Sequence, residues 1–151
     1  VTLEDYNQRI NAVIEDLKGG AHAKIMAEMA LDAIALIKQR VIQTGRNPEG
    51  ELYRDYTKRY KAYKKKAGKY RGFVDFSFST RMWANLKLVS TEDQLRKGIA
   101  KVSCTTTVEQ EKLNKNTEQR GEILALSDYE RDLLLSVYDE KILNIWRKNG
   151  L

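Results

Sequence analysis

What most limits how this chain can fold is where its charge sits. Between Tyr53 and Arg71 it packs nine Lys/Arg and five tyrosines around one acid, Asp55. That run carries +8 while the whole chain carries +6, so the remaining residues sum to −2. The protein is therefore a nearly neutral body bearing one basic, aromatic arm.

The body has enough material for a core. At 151 residues and 42% hydrophobic composition, a single folded domain spanning 1–151 is expected. One proline, Pro48, leaves regular elements free to run almost everywhere. Cys104 is the only cysteine, which excludes an intrachain disulfide and points to a reducing, intracellular origin. No apolar stretch approaches the roughly 18–20 residues that span a membrane, and no signal peptide opens the chain. A start at Val1 is compatible with removal of an initiator methionine. The composition thus suggests a soluble protein made in the cytosol.

Periodicity places the elements. Leu3, Tyr6, Ile10, Val13, Ile14 and Leu17 recur at three- and four-residue steps, which predicts a helix over 1–18 that Thr2 caps and Gly19-Gly20 end. Met26, Ala30, Ala33, Ile34, Ile37 and Val41 stripe a second helix over about 21–43. Thr44–Gly50 reads as a loop that opens the basic segment 45–72. Tyr56, Tyr60 and Tyr63 are helically spaced, so a short helix is expected inside the arm, broken by Gly68 and Gly72.

Beyond the arm, Phe73–Phe78 alternates, with Val74, Phe76 and Phe78 on one side and Asp75 and Ser77 on the other. This predicts a half-buried strand. Thr80–Leu86 reads as a helical turn. Leu86–Ser90 and Lys97–Cys104 read as two strands of a hairpin joined by Thr91–Gln94. Antiparallel strands are thus expected over 73–104. Thr107–Gln110 has the form of a capping box opening a short helix to about Asn116, with a polar loop from Asn114 to Gly121. Ser127–Glu130 is a second capping box, opening a terminal helix over 127–148 lined by Leu134, Val137, Tyr138, Ile142 and Ile145. The expected fold class is α+β: N-terminal helices, a small antiparallel sheet of three to four strands, a long basic arm, and a C-terminal helix packed on the sheet. The predicted core is Ile34, Ile37, Val74, Phe76, Leu88, Val102, Leu134 and Val137.

Catalytic chemistry finds little support. His22 is the only histidine and has no ligand-spaced Glu or His, and Cys104 has no second histidine to act as its base. No zinc spacing, P-loop or dinucleotide fingerprint occurs. No catalytic, cofactor-binding or metal site is expected, and the protein reads as a non-enzyme. The arm is the feature with chemical content. Lys and Arg neutralise phosphates and Tyr stacks on bases. The same composition also suits an acidic protein neighbour or a merely solvated loop.

Three stretches, in order, resemble the phage virion-morphogenesis or tail-completion family, the Mu G-like head–tail joining proteins. Gly45-Arg46-Asn47-Pro48-Glu49-Gly50-Glu51-Leu52-Tyr53, followed by Tyr56-Thr57, is similar to the family's G-x-(D/N)-x-x-G-x-x-(W/F/Y)-x-x-(L/Y)-(S/T) segment. Val74–Leu86 is similar to L-x-x-(T/S)-G-x-(M/L)-x-x-S-(L/I), with Thr80 standing where the pattern has Gly. Arg120–Glu130 is similar to R-x-F-L-G-L-S-x-x-(D/E), which opens the terminal helix. Together they span about Leu36 to Leu143.

The resemblance implies a structural virion protein of a tailed bacteriophage. It would be made in the host cytoplasm and form a homo-oligomeric ring at the neck or tail top, around the DNA channel and between portal or adaptor and tail proteins. It would have no membrane partner. In that setting Arg54, Lys58, Arg59, Lys61, Lys64, Lys65, Lys66, Lys69 and Arg71 are candidates for lining the channel or docking a neighbour, with non-specific contact to packaged dsDNA. Tyr53, Tyr56, Tyr60, Tyr63 and Trp83 are candidate interface aromatics, Trp83 being read as core or subunit seam. The alternative is a small sequence-independent nucleic-acid-binding module that uses the Tyr/Lys arm alone.

Overall fold

A computed structural model describes residues 2–77 and 80–151. Seven α-helices and two short strands follow one another among them: α1 (Leu3–Asp16), α2 (His22–Thr44), α3 (Lys58–Lys66), α4 (Arg81–Asn85), β1 (Leu86–Leu88), α5 (Glu92–Arg96), β2 (Val102–Cys104), α6 (Thr107–Arg120) and α7 (Asp128–Lys148). About 65% of the chain is helical, and β1 and β2 form one two-stranded antiparallel ladder. The expected α+β fold, with three to four strands and a terminal helix on a sheet, is therefore corrected to a mainly helical one.

Two local causes account for the missing strands. Phe73–Ser77 alternates in sequence, but Phe76 takes φ +52°, which turns the chain out of a pleat. Asp75, expected on a polar outer side, is 1% exposed. Its carboxylate takes hydrogen bonds from Tyr56, Lys64 and Ser77, and its backbone joins no ladder. Phe78, the end of that expected strand, lies outside the described residues. The second cause is Thr91–Gln94, expected to link a hairpin. Thr91 Oγ1 accepts from the Gln94 amide at 3.3 Å, and the Gln94 side chain accepts from the Thr91 amide at 3.0 Å. This capping box starts α5, which leaves only three residues of each expected strand to pair.

The helical expectations hold more closely. Thr2 and Asp5 form the capping box of α1. At Gly20 the backbone takes φ +114° within a π turn over Leu17–Ala21, which separates α1 from α2. Ser127 and Glu130 cap α7 reciprocally, with bonds of 2.8 and 3.2 Å. By contrast α6 starts one residue earlier than expected, capped by Thr106, and runs through the polar Asn114–Arg120 stretch to Gly121. Its long side chains sustain a helix there without an apolar stripe.

The chain forms two compact units. The first comprises residues 1–32, 88–102 and 132–151. Here α7 is tied to helices, not to a sheet. Lys141 pairs with Glu28 of α2 at 2.5 Å, and Lys148 with Asp16 of α1 at 3.1 Å. His22 Nδ1 lies 3.1 Å from the Arg96 carbonyl and Nε2 lies 3.3 Å from the Tyr138 hydroxyl. A carbonyl only accepts, so Nδ1 donates to it, and in the neutral ring Nε2 then accepts from Tyr138. This accounts for the lone histidine structurally. Val13, Ala23, Ile25, Leu95 and Leu134 are buried in this unit.

The second unit comprises residues 33–87 and 103–131. Its buried apolar residues include Ile37, Val41, Tyr53, Val74, Met82, Trp83, Leu86, Leu113 and Ile123. Arg40, in α2, donates to Glu130 at 2.9 Å and to the Ala125 carbonyl at 2.7 Å, fixing the start of α7. Of the predicted core, Ile37, Val74 and Leu134 are buried, while Ile34, Phe76, Leu88, Val102 and Val137 are half-buried.

Candidate functional site

The arm is built on a tight loop. Gly45 takes φ +63°, and a methyl group there would run into the Phe73 ring. The Asn47 amide donates to the Glu51 carbonyl at 2.8 Å, the Glu51 amide to the Asn47 side chain at 2.8 Å, and the Gly50 amide to the Asn47 carbonyl at 3.0 Å. Arg46 and Leu52 then pair as an isolated antiparallel bridge. This closure delivers Tyr53 to the interior. Its ring meets Phe76 edge-on at 4.9 Å, and its hydroxyl donates to the Glu122 carbonyl at 3.2 Å.

From Tyr53 the chain runs through Arg54–Tyr56 to Thr57, which caps α3. Lys64, expected among the channel-facing or partner-facing cations, points inward instead and is 0% exposed. Its ammonium has three donors, and each finds an acceptor: Asp75 Oδ1 at 2.7 Å, the Ser77 carbonyl at 2.9 Å and the Tyr56 hydroxyl at 3.3 Å. It also lies 4.7 Å above the Tyr56 ring. The Tyr56 hydroxyl donates to Asp75 at 3.2 Å and accepts from the Phe76 amide at 3.1 Å. Asp75 accepts further bonds from the Ser77 amide (3.1 Å) and hydroxyl (2.7 Å). Trp83, 2% exposed, donates its indole N–H to the Asp75 carbonyl at 3.2 Å.

The electrostatics follow from that arrangement. Burial pushes the Asp75 carboxyl up, but the hydrogen bonds from Lys64 and Ser77 and the Lys64 charge outweigh it, so Asp75 sits below the ordinary carboxylate range. Burial, reinforced by the negative charge of Asp75, pushes the Tyr56 phenol well above its usual value. Here Lys64 acts as an anchor: it fastens α3 to the segment Asp75–Ser77.

With Lys64 turned inward, the other candidates sort by position. Arg54, Lys58, Arg59, Lys65, Lys66, Lys69 and Arg71 are exposed. Lys61 is half-buried and pairs with Asp55 at 2.5 Å, which holds the Asp55 carboxyl down and raises the Lys61 ammonium. Arg71 donates to the Ile42 carbonyl at 3.3 Å and lies 3.7 Å from Asp75. Lys61 and Lys65 flank the Tyr70 ring at 5.0 and 5.4 Å. Among the aromatics, Tyr53, Tyr56 and Trp83 are buried, while Tyr60 and Tyr63 are 38% and 56% exposed. The structure thus brings Tyr56, Lys64 and Trp83 together around Asp75, a residue the sequence reading placed on the wrong side. The signal that could have found Asp75 was its position as a lone acid just past a run of nine cations.

Beside the arm lies an open cleft of about 500 Å³ lined by Tyr56, Tyr60, Phe76, Arg81, Lys112 and Arg120, among others. Arg120 lies 5.5 Å from the Tyr56 ring and donates to the Arg54 carbonyl at 3.2 Å. Glu109, 5% exposed, also lines the cleft and accepts from Lys112 at 2.9 Å. It sits in the first turn of α6, where the helix dipole favours a carboxylate.

Cys104 is buried, and burial together with the nearby Glu109 charge pushes its thiol up, away from the reactive thiolate. Among the described residues no three His, Cys, Asp or Glu side chains converge to hold a metal ion. No helix among them is long and apolar enough to cross a membrane. Comparison of the chain with protein-family models, with curated proteins and with solved structures finds no match.

Proposed function

We infer that this chain is a non-enzymatic structural subunit of a tailed-phage virion, one that assembles as a ring at the head–tail junction around the DNA channel. The observation that carries this reading is convergence. The three stretches that resemble the tail-completion family lie far apart in sequence, yet Tyr53 of the first packs its ring on Phe76 of the second and donates its hydroxyl to Glu122 of the third. A second observation supports the register of the middle stretch. Thr80, standing where the family pattern has glycine, takes φ +62°, a left-handed conformation that glycine adopts freely.

Size-exclusion chromatography with light scattering, and micrographs of particles from cells producing the phage, test this reading. A ring-sized oligomer and labelled density at the neck are expected. A protein that stays monomeric and is absent from purified particles would sink it.

The exposed cations on the outer face of α3 favour one further reading, a sequence-independent nucleic-acid-binding module. It calls for submicromolar duplex or single-strand binding by the free protein with a steep salt slope, removed by Lys58→Ala, Lys65→Ala and Lys66→Ala together. Lys64 is left out of that set because it is a buried anchor. Absence of binding at low salt rejects this alternative.

A further inference from the structure

We propose that α1 of one copy docks on the outer face of α3 of a second copy, and that this acidic-on-basic contact joins the subunits. The inference rests on the ring reading above and names the surfaces that build the ring.

The helices differ sharply in charge. Between Lys58 and Lys66, α3 carries +6 with no acid, whereas α1 carries −3 from Glu4, Asp5, Glu15 and Asp16 against Arg9. Each of the other helices lies between −1 and +1. The two extremes therefore complement each other, and both sit on surfaces the chain leaves open. On α3 only Lys64 is turned inward; Lys58, Arg59, Lys65 and Lys66 face out beside the exposed Tyr63. On α1, Leu3, Tyr6 and Ile14 are 77%, 45% and 40% exposed although they belong to its apolar stripe.

The acids of α1 divide by role. Asp5 is used in the cap with Thr2, and Asp16 is held by Lys148 and Asn149. Glu4 and Glu15 are exposed, and Glu15 has only the weak pair with Lys18 at 3.8 Å. They are eleven residues apart, three turns, and so stand on the same side of the helix about 16 Å apart. Lys58 and Lys66 span about 12 Å along α3, a comparable reach for long flexible side chains. Exposed apolar groups also occur on α7, where Leu135, Leu143 and Trp146 share one side. That helix is nearly neutral, so the complement of the arm lies on α1. A contact between two different surfaces of like copies is head-to-tail, and head-to-tail contacts close into rings when the rotation permits.

A charge swap tests this. One variant carries Glu4→Lys and Glu15→Lys, which takes α1 from −3 to +1; the other carries Lys58→Glu, Arg59→Glu, Lys65→Glu and Lys66→Glu, which takes α3 from +6 to −2. Helix content by circular dichroism checks that both fold. At about 0.1 M salt, each variant alone is expected to assemble at least about tenfold more weakly than the wild type, because like charges now face each other. An equimolar mixture restores both kinds of contact and is expected to assemble with alternating copies. If the wild type assembles and folded variants assemble equally well, or the mixture fails to recover, the docking inference is overturned and the ring reading stands. Loss of assembly in the α3 variant alone, with the α1 variant assembling normally, overturns it too. A wild type that is monomeric at every concentration overturns the docking inference, and overturns the ring reading as well when the protein is also absent from purified particles.

Discussion

A buried lysine is stable only while its counter-charge is present, and Lys64 and Asp75 depend on each other in this way. Removing one partner of a buried pair leaves the other uncompensated, at a cost of about 3–5 kcal/mol. Lys64→Ala and Asp75→Asn are each expected to lower the unfolding free energy measured by chemical denaturation by that much, whereas Lys65→Ala, on the exposed side, should stay within about 0.5 kcal/mol of the wild type. The pH dependence follows the same pair. Asp75 is held below its unfolded value of about 3.8, so its contribution is complete above that pH and is lost as pH falls through the lower folded value. Urea midpoints measured from pH 7 down to pH 3 should fall at the acid end, and fall less in Asp75→Asn. Thr80 carries the opposite kind of strain. A β-branched residue at φ +62° costs roughly 1–2 kcal/mol relative to glycine, so Thr80→Gly is expected to raise the unfolding free energy, measured by the same denaturation, by about 1 kcal/mol, net of glycine's larger entropy loss.

Elements were legible in the sequence where local chemistry decides them and illegible where distant side chains do. The caps at Thr2 and Ser127, the helical stripes of α1 and α2 and the glycine break between them could all be read locally. The segment Phe73–Ser77 could not. Its alternation is that of a strand, but Lys64 and Tyr56, eleven and nineteen residues before Asp75, claim its polar groups and bend it. For α5 the local signal is the T-x-x-Q pattern of Thr91–Gln94, which reading the segment as a polar hairpin linker passes over. As for the candidate site, its basic and aromatic inventory was legible, but the inward turn of Lys64 and the burial of Tyr53 and Tyr56 depend on tertiary packing. The loop that starts the arm is tested by Gly45→Ala, which adds both left-handed strain and a collision with Phe73. A loss of 2 kcal/mol or more is expected, read as a fall in thermal midpoint by calorimetry. At the head of α7, Ser127→Ala removes a cap and should cost about 1 kcal/mol in the same measurement.

For the whole molecule, charge is segregated: α3 carries +6, α1 carries −3 and the rest of the chain carries +3. Association through such surfaces weakens with salt, and an oligomer held by α1 and α3 should shrink as ionic strength rises from about 0.05 to 0.5 M, which light scattering follows directly. The inward turn of Lys64 has a further use in that experiment. An amine-acylating reagent modifies lysines according to their access, so Lys58, Lys65 and Lys66 should react in the free subunit and be shielded once a partner covers them. Lys64, sealed beneath Tyr56 with all three of its protons engaged, should stay unmodified in both states and become reactive only when the fold opens. A single peptide map would then carry two separate signals: neighbouring lysines reporting assembly, and Lys64 reporting whether the subunit is still intact.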